Sequence, residues 1–339
     1  MTRTVALLGA TGYTGRLVAA ELTRRGIEHR LGGRSAERLE AVPSEATRHV
    51  VDLTAPDSLD AFLDGADVLI TCVGPFTLYG MPVVEAAVRT GTTYVDSTGE
   101  FGFMADVFAR FRDAATAVVP ACGFDYVPGD LAAAIAVEEL GGSAEEIDVL
   151  YQLRDGKPTR GTARSALGAA STATMNPRRI TMDGPQGPLS AIEVPWGEQV
   201  TVPLHVPGVR VRSGIVAPDA MTRVADVAAP LAPLLKPLTS LARPLLERLV
   251  ERLPEGPTDE VRARAQATVI ARARSGGREA RVAVQCRDGY GLTARLLVEA
   301  AMQVTGTGAM ATAEALQPRA FLDSVTGSDV NGELSWKVL

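Results

Sequence analysis

Short apolar runs alternate with amphipathic segments through the first third of the chain. Apolar residues fill positions 5–8, and Leu17, Val18 and Leu22 then recur at helical spacing. The alternation continues through the strand-like runs IEHRLGG, RHVVDL, ADVLITCVG, TTYVDS and AVVPACG, with helix-like segments near Ser58 to Leu63, Pro82 to Arg89 and Met104 to Ala115. Strands that alternate with helices predict right-handed βαβ units and a parallel sheet.

From about Glu146 the pattern changes to the polar and apolar alternation of strands with one exposed face. It runs through EIDVLYQL, AIEVPW, EQVTVPL and VRVRSGIV, and ATVIARARSGGREARVAVQC predicts a hairpin turned at Ser275, Gly276 and Gly277. Two further helices are expected in GTARSALGAASTAT, rich in small residues, and in YGLTARLLVEAAMQV. We predict an α/β protein: a Rossmann-type doubly wound parallel sheet in residues 1–140, an α+β domain with a mostly antiparallel sheet in 141–288, and elements in 289–339 that return to the Rossmann domain.

The first strand runs straight into a glycine-rich turn, GATGYTG, at the start of the first helix. Gly9 suits the tight turn, Gly12 lets main chain approach a ligand closely, and Gly15 lets helix pack on strand. The helix N-terminus offers free N–H groups and a positive dipole end to an anion. We therefore predict that this loop, with Thr11, Tyr13 and Thr14, binds a dinucleotide pyrophosphate; the alternative is a glycine turn without ligand.

The end of the second strand favours NADP(H) over NAD(H). An acid at this point accepts hydrogen bonds from the ribose 2′-hydroxyl of NAD, whereas an Arg accommodates a 2′-phosphate. Here the strand delivers Arg34 and Ser35, and no acid. A guanidinium binds phosphate in a fork and a hydroxyl donates to it. The alternative for Arg34 is a solvated helix-cap residue.

Later strand ends supply the remaining cofactor candidates. Asp52 ends the third strand, where it could contact the adenine or cap the helix before Pro56. Predicted contacts to the nicotinamide half come after the fourth and sixth strands, from Val73, Gly74, Pro75, Gly123 and Phe124.

Composition narrows the function classes. The 339 residues suggest two domains, and a net charge of −6 argues against nucleic acid as a partner. Three cysteines form no CxxC pair, three histidines lack metal-helix spacing, and no signal peptide precedes the first strand, so we expect a cytoplasmic protein without metal.

One apolar segment, residues 224–253, is broken by four prolines and cannot be a transmembrane helix. Its second half predicts an amphipathic helix with one apolar side, made of Leu245, Leu246, Leu249, Val250 and Leu253. Such a helix covers the second domain, or else docks to a carrier domain, a second subunit in a homodimer, or a membrane surface.

The proton donor of short-chain reductases, a Tyr four residues before a Lys, is absent. The residues four before the three lysines are Leu153, Ala232 and Glu333. Other polar residues near strand ends are Tyr94, Asp96, Glu100 and Tyr126. Among the candidates we predict Tyr79 and Asp125 as catalytic; the alternatives are an aromatic plug for Tyr79 and a helix cap for Asp125.

The chain resembles the saccharopine dehydrogenase-like oxidoreductases, in particular the bacterial branch that includes trans-acting enoyl reductases. The resemblance lies in GATGYTG, the Gly33-Arg34 pair, GPFTLYG, YVDSTGE, CGFDYVPGDL, RGTARSAL and GYGLTARLLVEAA. It departs where the family commonly has Ser in place of Tyr126 and Gly129, and Gly in place of Arg160. The resemblance implies a Rossmann domain completed by C-terminal elements, an α+β second domain and NADP(H).

Three functions stay open at this point. The first is NADPH-dependent reduction of an activated C=C in a small-molecule or carrier-bound acyl substrate, favoured because the second domain is rich in Ala, Leu and Val. The second is C=N reduction, for which Arg154, Arg160 and Arg164 could bind substrate carboxylates. The third is a redox-sensing or lipid-associated protein that binds NADP(H) without turnover.

Overall fold

The computed structural model describes residues 3–155, 160, 178–228, 248–250, 252–254, 256–327 and 334–339. The chain divides into two compact units, Met1–Val127 with Tyr290–Ser328 and Pro128–Gly289 with Asp329–Leu339. Each unit contains one seven-stranded sheet.

The sheet of the first unit is wholly parallel. Its strands are β1 Val5–Leu8, β2 His29–Gly33, β3 Thr47–Val50, β4 Val68–Thr71, β5 Thr93–Asp96, β6 Ala117–Val119 and β13 Gly308–Ala309. Their spatial order is β3-β2-β1-β4-β5-β6-β13, and every neighbouring pair is parallel. The predicted Rossmann-type sheet is thus confirmed, with its switch in strand order between β1 and β4, where such sheets bind ligand.

Helices connect these strands. They are α1 Tyr13–Arg24, α2 Ala36–Glu40, α3 Pro56–Leu63, α4 Phe76–Thr90 and α5 Phe101–Phe111, followed late in the chain by α10 Gly289–Gln303, α11 Thr312–Ala315 and α12 Pro318–Gly327. Helix α4 begins six residues before Pro82, where the sequence predicted it to start, and keeps that proline inside. A proline at this position removes the hydrogen bond to the carbonyl of Leu78. The cost is small because Leu78 is exposed.

The second unit contains a mixed sheet. Its strands are β7 Glu146–Arg154, β8 Arg179–Gly184, β9 Gly187–Val194, β10 Arg210–Val216, β11 Gln266–Ser275, β12 Arg278–Arg287 and β14 Leu334–Val338, and its helices are α6 Val127–Glu139, α7 Glu198–His205, α8 Asp219–Ala228 and α9 Asp259–Arg264. The order is β14-β12-β11-β7-β10-β9-β8, in which only β7 and β10 are parallel. The β11–β12 hairpin turns at Gly276 and Gly277, both with positive φ, as the sequence predicted.

One predicted strand of the second unit is a helix. The segment EQVTVPL forms most of α7, whereas its Val and Thr content predicted a strand. The buried positions are Glu198, Thr201 and Val202, which follow the i, i+3, i+4 spacing of one helix face. Burial of this face overrides the β-propensity of the single residues.

The end of the chain also departs from the expected division. Strand β14 pairs antiparallel with β12, so residues 329–339 group with the second unit and do not return to the Rossmann sheet. Pro128 to Glu139 of α6 also group with the second unit. The small-residue segment 161–174, Arg164, Leu245 and Leu246 lie outside the described residues. Across the described part of the chain, the helices are too short or too polar to cross a membrane.

Candidate cofactor and active site

The glycine loop after β1 has three glycines with three different surroundings. Gly9 has a φ of +84°, which lets the chain turn directly after the strand. A Cβ on Gly15 would lie 2.1 Å from the carbonyl oxygen of Gly9, so only glycine lets α1 pack this closely. A Cβ on Gly12 would meet just one atom, the same oxygen at 3.4 Å. Packing among the described residues therefore does not require glycine at position 12, and Gly12 suits the close approach of a ligand.

The N-terminus of α1 fits a phosphate. Gly12 is its N-cap residue and supplies no side-chain hydrogen bond, and the first turn contains no acidic residue. The N–H groups of this turn, which includes Tyr13, Thr14 and Gly15, carry the positive end of the helix dipole. The donor set therefore fits a dinucleotide pyrophosphate. Tyr13 packs edge-to-face on Tyr290, with ring centroids 5.1 Å apart.

Arginines gather at the carboxyl ends of β1 and β2. Arg34 follows β2 directly and is exposed. The N-cap of α2 is Ser35, whose Oγ accepts a hydrogen bond from the backbone N–H of Arg38 over 3.3 Å. The guanidinium groups of Arg16 and Arg38 both donate to the carbonyl oxygen of Thr11, over 2.7 Å and 3.4 Å. The cap role is thus filled by Ser35, and Arg34 is left exposed at the strand tip.

Asp52 lies two residues beyond β3 and is exposed. Its Oδ1 accepts hydrogen bonds from the backbone N–H of Thr54 at 2.9 Å and from its hydroxyl at 2.7 Å. These bonds, first that from the backbone N–H, hold the pKa of Asp52 below its usual range. The N-cap of α3 is Ala55, so Asp52 closes a local turn and does not cap that helix.

The N-terminus of α4 is occupied by a carboxylate of the chain itself. Glu100 accepts hydrogen bonds from the backbone N–H groups of Phe76 at 2.8 Å and Thr77 at 2.9 Å. The preceding Val73, Gly74 and Pro75 lead from β4 into this helix, and a Cβ on Gly74 would meet nothing closer than Phe76 at 3.8 Å. Gly74 thus leaves open space beside the strand end, and an anionic ligand cannot bind the α4 amides without displacing Glu100.

A buried acid ties together the ends of β5 and β6. Asp96 is fully buried and accepts hydrogen bonds from the hydroxyl of Tyr94 at 2.6 Å and from the backbone N–H groups of Thr98 at 2.8 Å and Ala121 at 2.7 Å. Burial raises the pKa of Asp96 to about 6, although these hydrogen bonds lower it. Tyr94 is also fully buried. Both residues therefore hold the ends of β5 and β6 together.

The turn after β6 is held from two sides within the first unit. The backbone N–H of Phe124 donates to Oγ1 of Thr293 in α10 over 3.1 Å, and a Cβ on Gly123 would lie 3.2 Å from the methyl group of Thr293. Tyr126 donates its hydroxyl to the carbonyl oxygen of Gly99 over 2.8 Å. The hydrogen-bonded turn thus presents Gly123 and Phe124 at the carboxyl edge of the sheet.

The two predicted catalytic residues stand on different elements of the first unit. Tyr79 lies on the first turn of α4, and its side chain is 41% exposed. Among the described residues, its hydroxyl has no hydrogen-bond partner. Asp125 is exposed in the turn before α6, which begins at Val127.

Sequence reasoning listed Glu100 only as a polar candidate near a strand end, and it did not predict the partners of Glu100, Arg38 or Thr293. Glu100 and Phe76 are 24 residues apart, and Phe124 and Thr293 are 169 apart. Only the sheet topology brings such partners together. The STGE sequence after β5, an acid beside a strand end, was the one local signal for Glu100. Among the described residues, no cluster of three His, Cys, Asp or Glu side chains could hold a metal ion.

Comparison with known proteins relates the first unit to a family of cofactor-binding domains. Residues 5–122 match the family model of the saccharopine dehydrogenase NADP binding domain. Proteins named trans-acting enoyl reductase from Mycobacterium leprae and Mycobacterium bovis are 40% and 39% identical to this chain over 140 residues, which are 38% of this chain and 34% of theirs. A Mycobacterium tuberculosis relative, to which the same name is given provisionally, is 36% identical over 190 residues, 51% of this chain and 45% of its own.

This chain spans about half, or less, of the length of these curated relatives. The solved structure of saccharopine dehydrogenase (L-Glu forming) from Saccharomyces cerevisiae matches with a TM-score of 0.64 over 99% of this chain and 100% of that one, at 15% identity, which shows a shared fold. The first unit contains an NADP-binding domain, so the predicted cofactor is confirmed. Residues 5–122 thus match a saccharopine dehydrogenase NADP binding domain, and the chain is similar in sequence to proteins named trans-acting enoyl reductase and in fold to saccharopine dehydrogenase.

Proposed function

We propose that this protein is an NADPH-dependent reductase of an activated C=C bond, with an enoyl thioester, free or carried on a partner, as its substrate. The observation that carries the proposal is the 36–40% identity to mycobacterial proteins named trans-acting enoyl reductase. The structure of the first unit supports it in two ways: through its cofactor-binding features and through the charge at its strand ends.

The cofactor is assigned along the carboxyl edge of the first sheet. Gly9 to Gly15 hold the pyrophosphate at the N-terminus of α1, and Arg34 and Ser35 bind the 2′-phosphate. Asp52 borders the adenine ribose through its exposed carboxylate. The nicotinamide half lies against the strand ends that bear Val73 to Pro75 and Gly123 to Phe124. When bound there, NADPH supplies a hydride.

The residues of this chain then have to stabilise charge and move a proton. Hydride addition to the β carbon shifts the electron pair of the C=C bond toward the thioester carbonyl, whose oxygen becomes an enolate. As the carbonyl re-forms, the enolate electron pair at the α carbon takes a proton from water, which completes the reduction. A hydrogen-bond donor at the enolate oxygen lowers the barrier. Tyr79, exposed on the first turn of α4, is assigned this role, and Asp125 orients the substrate from the turn before α6.

Charge at the strand ends favours a neutral reacting group. The backbone N–H groups of Phe76 and Thr77 would be the natural anion site of α4, yet both already donate to Glu100. A second carboxylate there would lose these donors and be repelled by Glu100. This arrangement supports a thioester over the carboxylate-bearing imine of a saccharopine-type reaction.

The proposal is tested with a panel of substrates. Enoyl thioesters of increasing chain length and cyclic imines are offered with NADPH, and cofactor oxidation is followed by nicotinamide absorbance. We expect turnover with enoyl thioesters above that with imines, and none in Gly12→Val, the control that cannot hold the cofactor. Faster imine turnover would replace the proposal by C=N reduction. Tight NADPH binding without turnover of any substrate would point to a sensor.

The role of Tyr79 is tested by Tyr79→Phe, which removes one hydroxyl. Because its hydrogen bond strengthens in the transition state, we expect kcat to fall at least tenfold while the Kd for NADPH stays within about twofold. Tyr290→Phe is the matched control, since it removes a tyrosine hydroxyl from the first unit at a residue without an assigned catalytic role. An unchanged kcat in Tyr79→Phe would reduce this residue to packing and leave Asp125 or water as the donor.

A further inference from the structure

The second unit contains a buried acid that the proposed chemistry does not use. Glu198 opens α7 and is fully buried, as is Ser213 on β10, while Tyr151 on β7 is 2% exposed. The hydroxyl of Ser213 lies 3.0 Å from Oε2 of Glu198, and that of Tyr151 is hydrogen-bonded to Oε1. An isolated carboxylate is costly in such a place.

The Glu198 carboxyl group lies against the first turn of α6. A Cβ on Gly129 would lie 2.2 Å from Oε1 of Glu198 and 2.6 Å from the hydroxyl oxygen of Tyr151. The carboxyl group therefore sits directly over the α6 backbone, and only glycine leaves room for it.

The C-terminal end of α7 contacts Asp130, the residue of α6 that follows Gly129. Nε2 of His205 lies 2.9 Å from Oδ1 of Asp130, whose side chain is fully buried. Helix α7 thus contacts two successive residues in the first turn of α6. Its first residue, Glu198, lies against Gly129, and its last residue, His205, is bonded to Asp130. The turn with Asp125 leads into this helix without a break, because α6 begins at Val127.

We propose that Glu198 is a positioning residue: as a neutral acid it holds the first turn of α6 against α7, and its ionisation loosens that turn. The charged or titratable groups of the described residues that interact with it are Tyr151 from β7 and Asp130 from α6, and Asp130 is in turn bonded to His205. A negative Glu198 would add a second buried charge close to that of Asp130. Burial raises the pKa of Glu198 to about 8, although the Tyr151 and Ser213 hydrogen bonds lower it, and Asp130 raises it further.

This arrangement gives the protein a pH response near neutrality. Below about pH 8 the acid is neutral and α6 is held; above it the contact is weakened. The consequence for turnover, a fall in kcat on the alkaline side, rests on the proposed reductase function. The contact itself does not.

The test uses the full-length protein and needs no substrate. The ring centroid of Trp196 lies 5.6 Å from that of Tyr151, so its fluorescence reports on this cluster. The second tryptophan, Trp336, is removed by Trp336→Phe in every sample. Hydrogen exchange of peptides from residues 127–139, corrected for the intrinsic pH dependence of exchange, is measured on the same proteins.

We expect a fluorescence transition with a midpoint near pH 8, together with at least threefold faster exchange of the first turn of α6 above it. Glu198→Gln, which imitates the neutral acid, should abolish both changes. Glu260→Gln, an exposed acid of the same unit, should leave both as they are. Tyr151→Phe removes a bond that favours the ionised form, so its midpoint should rise by about one pH unit.

Three results would overturn the inference. The first is a transition in Glu198→Gln equal to that of the parent protein, and the second is no transition in the parent between about pH 6.5 and 9.5. The third is a fluorescence transition without any change in α6 exchange, which would mean that Glu198 titrates but positions nothing. Failure of every enoyl substrate leaves both measurements intact, so the two proposals fail separately.

Discussion

At the scale of single residues, Gly12 and Gly15 separate ligand binding from packing. A Cβ at Gly12 would meet only one atom of the described residues, at 3.4 Å, whereas a Cβ at Gly15 would lie 2.1 Å from the Gly9 carbonyl oxygen. We expect Gly12→Val to keep its thermal unfolding temperature within a few degrees and to lose at least a hundredfold in NADPH affinity, about 3 kcal/mol. Calorimetric titration and thermal unfolding of the same sample measure both.

Gly15→Ala is the matched control for this pair. Overlap with backbone cannot be relieved by a side-chain rotation, so it should cost about 3 kcal/mol or more of folding free energy. The assignment of the pyrophosphate to this loop would be wrong if Gly12→Val retained parental affinity for NADPH.

Arg34 decides cofactor choice if the 2′-phosphate lies at the tip of β2. Arg34→Ala should weaken NADPH binding ten- to a hundredfold, because a charge-assisted hydrogen bond contributes about 1.5–3 kcal/mol. NADH lacks the phosphate and serves as the control, so its affinity should not change. Fluorescence titration with both cofactors measures the ratio. An equal loss for the two cofactors would assign the 2′-phosphate to Arg38 or Arg16 instead.

The positions of the glycines and of Arg34 in the fold could be predicted because each depends on a local backbone feature. Their roles depend on residues within one strand, turn and helix. The partners of Glu100 and Glu198, and the Ala121 partner of Asp96, could not be predicted because they come from other elements. A lone acid in an apolar stretch signals such a partner without identifying it.

At the scale of elements, Glu100 acts as the cap of α4. Glu100→Gln keeps one oxygen and leaves one of the two N–H groups, of Phe76 or Thr77, without its acceptor. We expect the free energy of unfolding to fall by about 1–2 kcal/mol, measured by denaturant titration. The control is Glu85→Gln, at a residue within α4. It breaks only an exposed ion pair with Arg110, so it should lower the free energy of unfolding by less than about 1 kcal/mol. Equal losses in the two variants would deny Glu100 its capping role.

The elements with strong periodicity could be predicted, but two predictions were wrong: the start of α4 and the assignment of α7. The start of α4 was misplaced because Pro82 imitates a helix N-terminus, whereas the helix begins after Pro75 and the Glu100 carboxylate caps it from outside its own sequence. Helix α7 was taken for a strand because Val and Thr dominate it. In both cases a tertiary contact outweighs local propensity.

At the scale of the whole molecule, the sequence was enough to predict that the chain contains two sheets of different kinds. Alternation of strands and helices predicted the parallel sheet, and period-two strands with a glycine hairpin predicted the mixed one. The last strand, Leu334–Val338, was not predicted because a short edge strand forms only through its pairing with a neighbour, here β12. Assignment of α6 to the second unit rests likewise on contacts, among them those of Gly129 with α7.

The same Glu198 predicts how the stability of the molecule depends on pH. Its pKa is about 8 in the folded chain and near its ordinary value of 4.5 when unfolded. Between these values the folded state holds a proton that the unfolded state has lost, so the free energy of unfolding falls as pH rises. The stabilisation is fully present below about pH 4.5 and is lost by about pH 8, over a range of up to about 5 kcal/mol.

This linkage is measured as a difference between two proteins. Asp96, whose pKa is raised to about 6, adds a change of the same sign, whereas carboxylates with lowered pKa, such as Asp60 and Asp219, act in the opposite direction at lower pH. These contributions cancel when the parent is compared with Glu198→Gln, which cannot ionise. Denaturant unfolding at pH 5 and at pH 8, followed by Trp196 fluorescence in the Trp336→Phe background, should show the parent losing several kcal/mol more than the variant. If the free energy of unfolding changed equally with pH in the two proteins, Glu198 would be solvated in the folded protein. The contact of α7 with α6 would then not depend on pH.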